Sequence, residues 1–186
     1  MAIVGIVSWV LIGELGAAEP ANEKASAPAR KILDYFYSLK NAPGEKRLLT
    51  GQFTDFGNGA KLGIMTNILE KTGQWPALMG ADYADFGRGG ITWLAPNQAA
   101  VAYWKQGGLV TLSAHMYNPA NPKGGGLRDP GVDLAELLKE GTETHDRWMR
   151  QLDQMAEGLK ALKDAGVVVL WRPFHEMNGG WFWWGA

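Results

Sequence analysis

The sequence predicts an α/β fold of repeated βα units, and among the architectures built from such units a (β/α)8 TIM barrel of which only about the first four units are present. Three observations carry this. Short apolar runs suited to buried strands alternate with helical periodicities along the chain. Residues with distinctive chemistry fall just after those runs, as in barrels that place their chemistry at the C-terminal ends of strands. The glycine fingerprint of a doubly wound nucleotide-binding sheet is missing, because Leu62 stands where the turn at Gly57-Asn58-Gly59 needs its last glycine.

Taken in order, Met1–Ala18 is an apolar run from Ile3 to Ile12 followed by Gly16-Ala17-Ala18, the pattern of a secretory signal peptide with a small-residue cleavage site. The run is too short for a comfortable membrane span, so secretion is expected and no span in the mature chain. Residues 19–29 are small, polar and contain proline, which makes them a flexible lead and leaves 30–186 for the barrel. A helix over about Pro28–Lys40 carries Ile32, Phe36 and Leu39 on one face. Lys46–Gln52 reads as the first strand, Gly59–Lys71 as a helix with the stripe Leu62, Met65 and Leu69, and residues 77–82 as the second strand. Pro96–Gln106 is a weaker helix before the third strand at 109–114. The best periodicity, Trp148, Leu152, Met155, Leu159 and Leu162, sets a helix from Thr144 to Asp164 that Ala165-Gly166 closes. The apolar run Val167–Trp171 suits a fourth parallel strand buried on both faces. A closed barrel needs eight strands and about 250 residues, so these 186 residues are expected to be a fragment with two open strand edges.

Composition narrows the function. A hydrophobic share of 46% and a net charge of -1 describe a soluble domain with a core and no basic field, so a nucleic-acid partner is not expected. The chain has nine Trp and no Cys, which removes disulfides and thiolate chemistry. The tryptophans thicken towards the C-terminus, in Trp171-Arg172-Pro173-Phe174-His175-Glu176-Met177-Asn178-Gly179-Gly180-Trp181-Phe182-Trp183-Trp184-Gly185. If strand alternation continues to its end, residues 172, 174 and 176 share one side, with Glu176 at the barrel mouth above Arg172. A carboxylic acid that donates a proton near neutral pH needs a raised pKa, and Phe174 with the aromatics at 181–184 would supply the desolvation. Arg172 pulls the other way and suits holding a different, nucleophilic carboxylate ionised. Aromatic faces also stack on the C–H faces of sugar rings. The competing reading is packing, since tryptophan clusters commonly fill cores.

This string resembles glycoside hydrolase family 26, over roughly Pro28–Ala186. The resemblance implies a (β/α)8 fold, retaining double-displacement chemistry and endo-β-1,4-mannanase activity on β-mannan, with no cofactor. It implies that Glu176 is the acid/base, that His175 shapes the catalytic centre, that Trp181 lines the sugar cleft, and that His115, in His115-Met116-Tyr117-Asn118-Pro119, contacts substrate. The family's nucleophile, a glutamate near the seventh strand, has no counterpart here, so turnover by these residues alone is not expected. Asp82 either binds a sugar hydroxyl or caps the following turn. His145, at the start of the long helix, is expected to cap or lie on the surface. Alternatives are another β-glycanase of the family, acting on mixed-linkage glucan or xylan, and a noncatalytic carbohydrate-binding fragment, which the βα alternation opposes because such modules are usually β-sandwiches. A zinc hydrolase is disfavoured: His175-Glu176 begins like a metalloprotease motif, but Gly179 occupies the place of the second histidine.

Overall fold

A computed structural model of the chain describes residues 19–20, 22–41, 44, 48–86, 90–129 and 132–185; the expected signal peptide lies outside them. The chain divides into two compact units, residues 1–47 and 48–186. In the first, α1 spans Ala27–Asn41. Its opening residues Ala27, Pro28 and Ala29, counted with the lead by composition, are its first turn, where proline costs nothing because those N–H groups have no intrahelical acceptor.

In the second unit the described strands are β1 (Gly51–Phe56), β2 (Leu78–Asp82), β3 (Ala84–Asp85), β4 (Gly90–Ile91), β5 (Leu109–Ser113) and β6 (Val169–Arg172). β1, β2, β5 and β6 form a parallel sheet in that spatial order, and β3 pairs with β4 as a small antiparallel hairpin. The helices are α2 (Gly63–Thr72), α3 (Leu94–Trp104), α4 (Leu134–Leu137) and α5 (Glu143–Asp164). Sequential parallel strands with helices in the crossovers make this a partial (β/α)8 barrel, as expected. None of the described helices is long and apolar enough to cross a membrane.

The first strand needs correction. It is expected at Lys46–Gln52; residues 46–47 lie outside the described ones, residues 48–50 are not in a strand, and β1 runs from Gly51 to Phe56. Leu48, just before it, is 87% exposed. A register irregularity between Phe53 and Phe56 lets Phe56 draw level with Asp82.

Alternation along the strands separates a dry face from a polar one. Met79, Ala81 and Tyr83 from the β2 segment and Val110, Leu112, Ala114 and Met116 from β5 onward pack in the core with Ala99, Ala100 and Tyr103 of α3 and Trp148, Met155 and Leu162 of α5. Burial of each large side chain there contributes about 1.5–3 kcal/mol. Helix α3 buries Pro96, Asn97, Ala99, Ala100 and Tyr103 on one face, while its exposed side also carries apolar residues, Leu94 and Ala102, which is why its periodicity is weak. It lies close to α5 at Gly158, where a Cβ would stand 2.6 Å from Trp93 Cβ, and the Gly158 carbonyl accepts from Asn97 Nδ2 at 2.8 Å. The long helix α5 starts where Thr142 Oγ1 accepts the His145 N–H and where Glu143 and Asp146 meet the positive end of the helix dipole. The other side of β5 carries Thr111 and Ser113, with His115 next in alternation. Register then sets Phe56, Asp82, Ser113 and Arg172 in one row across the C-terminal ends of the four parallel strands.

Candidate active site

The floor of the site is built on that row. Asp82 has 0% of its surface exposed. Its Oδ1 accepts the backbone N–H groups of Ala84 at 2.8 Å and His115 at 3.0 Å, and its Oδ2 accepts the Ser113 hydroxyl and faces His115 Nδ1 at 2.8 Å. Burial alone would push this carboxyl up, but the hydrogen bonds from His115 and Ser113, the His115 charge and the Ala84 amide outweigh it and hold the pKa below the usual aspartate value. Such a group stays ionised and orients its neighbours.

His115 passes the contact on. Its Nε2 lies 3.0 Å from Nε2 of His175, with the two rings nearly perpendicular at 75°. Phe56, Phe86, Phe182 and Trp184 surround the His115 ring. The pKa of His175 is held below the usual histidine value, first by burial, then by the positive charges of His115 and Arg172, with Asp82 and Glu176 opposing. Its Nδ1 is buried and has no hydrogen-bond partner among the described residues.

The rim is the segment after β6. Extended alternation stops at Arg172, because residues 173–182 run as turns and bends and both Phe174 and Glu176 adopt positive φ, 49° and 59°. The expected one-sided arrangement of residues 172, 174 and 176 is therefore not formed. Phe174 turns to the core against Trp148 and Trp184, while Arg172 and Glu176 are exposed. Three indole N–H groups hold the segment: Trp181 donates to Glu176 Oε2 at 2.8 Å, Trp183 to the Met116 carbonyl at 2.7 Å, and Trp184 to the His175 carbonyl at 2.9 Å. Gly179 is required beneath Trp181, since a Cβ there would stand 2.2 Å from the indole ring.

The residues singled out by sequence thus divide. Asp82, His115 and His175 form one chain of contacts, with Glu176 and Trp181 beside it on the rim. Of the two roles expected of Asp82, the turn cap is present: it accepts the Ala84 N–H and has no exposed surface. One expectation is corrected. The aromatic enclosure expected around Glu176 is not formed: Trp183 and Trp184 are 6% and 5% exposed and belong to the core, so the packing account describes those two, while Trp181 alone bonds the carboxylate. His145 sits at the start of α5, where its Nδ1 faces the Leu137 carbonyl at 2.7 Å. Ser113, Phe56 and Phe86 went unnoticed; the alternation Thr111, Ser113, His115 opposite Val110, Leu112, Ala114 carries enough signal to find Ser113. No cluster of three or more metal-ligating side chains occurs among the described residues.

Comparisons with known proteins bear on this geometry. The sequence model of Glycosyl hydrolase family 26 matches residues 21–186. A mannan endo-1,4-β-mannosidase from Bacillus subtilis is 36% identical over 179 residues, covering 89% of this chain and 48% of its own. The mannan endo-1,4-β-mannosidase A and B of Caldalkalibacillus mannanilyticus is 34% identical, covering 93% of this chain and 35% of its own. A solved Bacillus subtilis mannanase superposes with a TM-score of 0.83 at 32% identity, covering 91% of this chain and 53% of that one. A Muricauda family 26 structure does so with a TM-score of 0.75 at 32% identity, covering 88% and 53%. The chain spans about half or less of the length of these relatives. Match, identity and superposition agree that the chain belongs to glycosyl hydrolase family 26.

Proposed function

We propose that this chain carries the acid/base half of a retaining endo-β-1,4-mannanase active site, with Glu176 as proton donor and then as base. The observation that carries the reading is the contrast in availability at one end of the sheet: Glu176 is exposed and, among the described residues, hydrogen-bonded by a single donor, Trp181 Nε1. A carboxyl group with free lone pairs at a strand's C-terminal end is placed to protonate a departing glycosidic oxygen. Trp181, half exposed, offers its ring to a sugar face while its N–H fixes one carboxyl oxygen. His115 and His175 stand beside the acid as polar groups in an aromatic collar. Retaining chemistry also needs a second carboxyl group roughly 5 Å from the first, and the family resemblance assigns it to a glutamate near a seventh strand. Mannan as substrate and secretion as location belong to the same proposal, the first supported by the relatives' activities and the second by the apolar run before Ala18.

The test uses a chain extended to the length of its relatives. Glu176→Ala should slow cleavage of mannan about 10²–10⁴-fold, because a sugar alkoxide leaves poorly without a proton. An activated aryl mannoside needs little protonation, so its first step should survive as a burst. Deglycosylation should then stall until azide, which attacks without a base, restores it. Equal loss on both substrates, with no burst and no rescue, would remove Glu176 from the chemistry.

A further inference from the structure

Hydrogen positions along Asp82, His115 and His175 follow by elimination from the fixed end. Asp82 is ionised and can only accept, and its Oδ2 faces His115 Nδ1 at 2.8 Å, so that nitrogen carries a hydrogen. In a neutral His115 the other nitrogen is bare. It stands 3.0 Å from His175 Nε2, and two bare nitrogens at that distance repel, so His175 carries its hydrogen on Nε2. Its buried Nδ1, without a partner among the described residues, is then an acceptor. One proton added from solvent reverses the outer half. His115, now bearing hydrogen on both nitrogens, donates from Nε2, His175 must accept there, and the single hydrogen of His175 sits on Nδ1.

We propose that Asp82 is a positioning residue which, through His115, dictates which nitrogen of His175 carries hydrogen, so that one proton taken up by the pair turns the Nδ1 of His175 from acceptor to donor. The purpose of this arrangement rests on the glycosidase reading; the wiring is a property of the resting chain. The groups facing the pair agree on where the charge resides. Asp82 and Ser113 lie against His115 from β2 and β5, while Arg172 from β6 and the His115 charge discourage a second charge on His175 despite Glu176 and Asp82. His175, the residue before the proposed acid, remains neutral in both states and changes only what it offers. In the proton-poor state its Nδ1 can accept a hydrogen bond, and in the proton-rich state it can donate one.

The sequence has three histidines, so nitrogen-15 NMR of the full chain labelled at histidine resolves each ring. His145, whose Nδ1 faces the Leu137 carbonyl, serves as an internal reference. Titration through the histidine range, about pH 5 to 9, should show His115 becoming doubly protonated in the same step in which neutral His175 exchanges an Nε2 hydrogen for an Nδ1 hydrogen. In Asp82→Asn the backbone amides of Ala84 and His115 hold the new oxygen in place of Oδ1, so the amide NH2 faces His115 Nδ1 and that nitrogen must be bare. His175 should then carry its hydrogen on Nδ1 throughout, whereas Ser113→Ala should keep the exchange. If Asp82→Asn does not fold, the wild-type titration decides alone. Three results overturn the proposal: one unchanging tautomer of His175 in the wild type, double protonation of His175 ahead of His115, or the same exchange in Asp82→Asn as in the wild type. Failure of the Glu176→Ala test leaves these spectra unaffected, and failure of the spectra leaves that test unaffected.

Discussion

Asp82 and Glu176 are carboxylates at the same end of one sheet, and their surroundings are opposites. Asp82 has no exposed surface and faces four donor groups: the Ala84 N–H, the Ser113 hydroxyl, and the backbone N–H and ring Nδ1 of His115. Glu176 is exposed on a turn and accepts from Trp181. A carboxylate with its lone pairs occupied cannot exchange protons with a ligand and acts as a structural anion. One that is held, among the described residues, at a single oxygen keeps the other open to solvent. Acidic residues after barrel strands are thus sorted by how many donors already claim them.

The widest separation should appear in stability. Asp82→Ala leaves the Ser113, His115 and Ala84 donors unpaired in the interior and should cost about 3–5 kcal/mol in urea unfolding, whereas Glu176→Ala should stay within about 0.5 kcal/mol. Equal losses would erase the distinction. A smaller effect is the pH dependence of the difference between the wild type and Asp82→Asn. Because the folded pKa of Asp82 is below the unfolded value of 3.8, its contribution is fully present above that value and declines as pH falls through the folded one. The stability gap between the two proteins should therefore narrow in strong acid, below the range in which the histidines titrate; a gap that widens there contradicts the direction of the shift. Smallest is Trp181→Phe, which keeps a ring but removes the N–H on Glu176. At an exposed site this should reduce mannan turnover by less than about 10-fold in an extended chain, since 1.4 kcal/mol corresponds to a factor of ten.

What could be read from sequence follows the range of the forces involved. The long helix α5 was legible to within a residue at its start, because its stripe and its cap are local. The parallel strands β2, β5 and β6 announced themselves as apolar runs. β1 did not, since Gly51, Gln52 and Thr54 disguise a half-exposed edge strand, and a hairpin with two-residue strands such as β3–β4 has no periodicity to detect. In the site, His115, His175 and Glu176 were marked by position after strands. Their pairing through space, and the capture of Asp82 by Ser113, depend on a cross-strand register that no local pattern contains. The turn of Phe174 into the core was equally hidden, because alternation was extended past a point where the backbone adopts positive φ.

That backbone conformation has a consequence for how the protein can be changed. A left-handed residue other than glycine carries a cost of about 1–2 kcal/mol, and position 176 carries it at φ 59° with a side chain that does little for packing. Position 174 shares the conformation, but there the ring is needed between Trp148 and Trp184. Glycine at 176 would relax the chain at the loss of one exposed hydrogen bond, that from Trp181 Nε1. A mutant library ranked only by heat resistance would accordingly promote glycine at 176, and relaxed selection would let lineages slide the same way. On the proposed role of Glu176, engineering a hardier version has to hold position 176 fixed and look for its gains elsewhere.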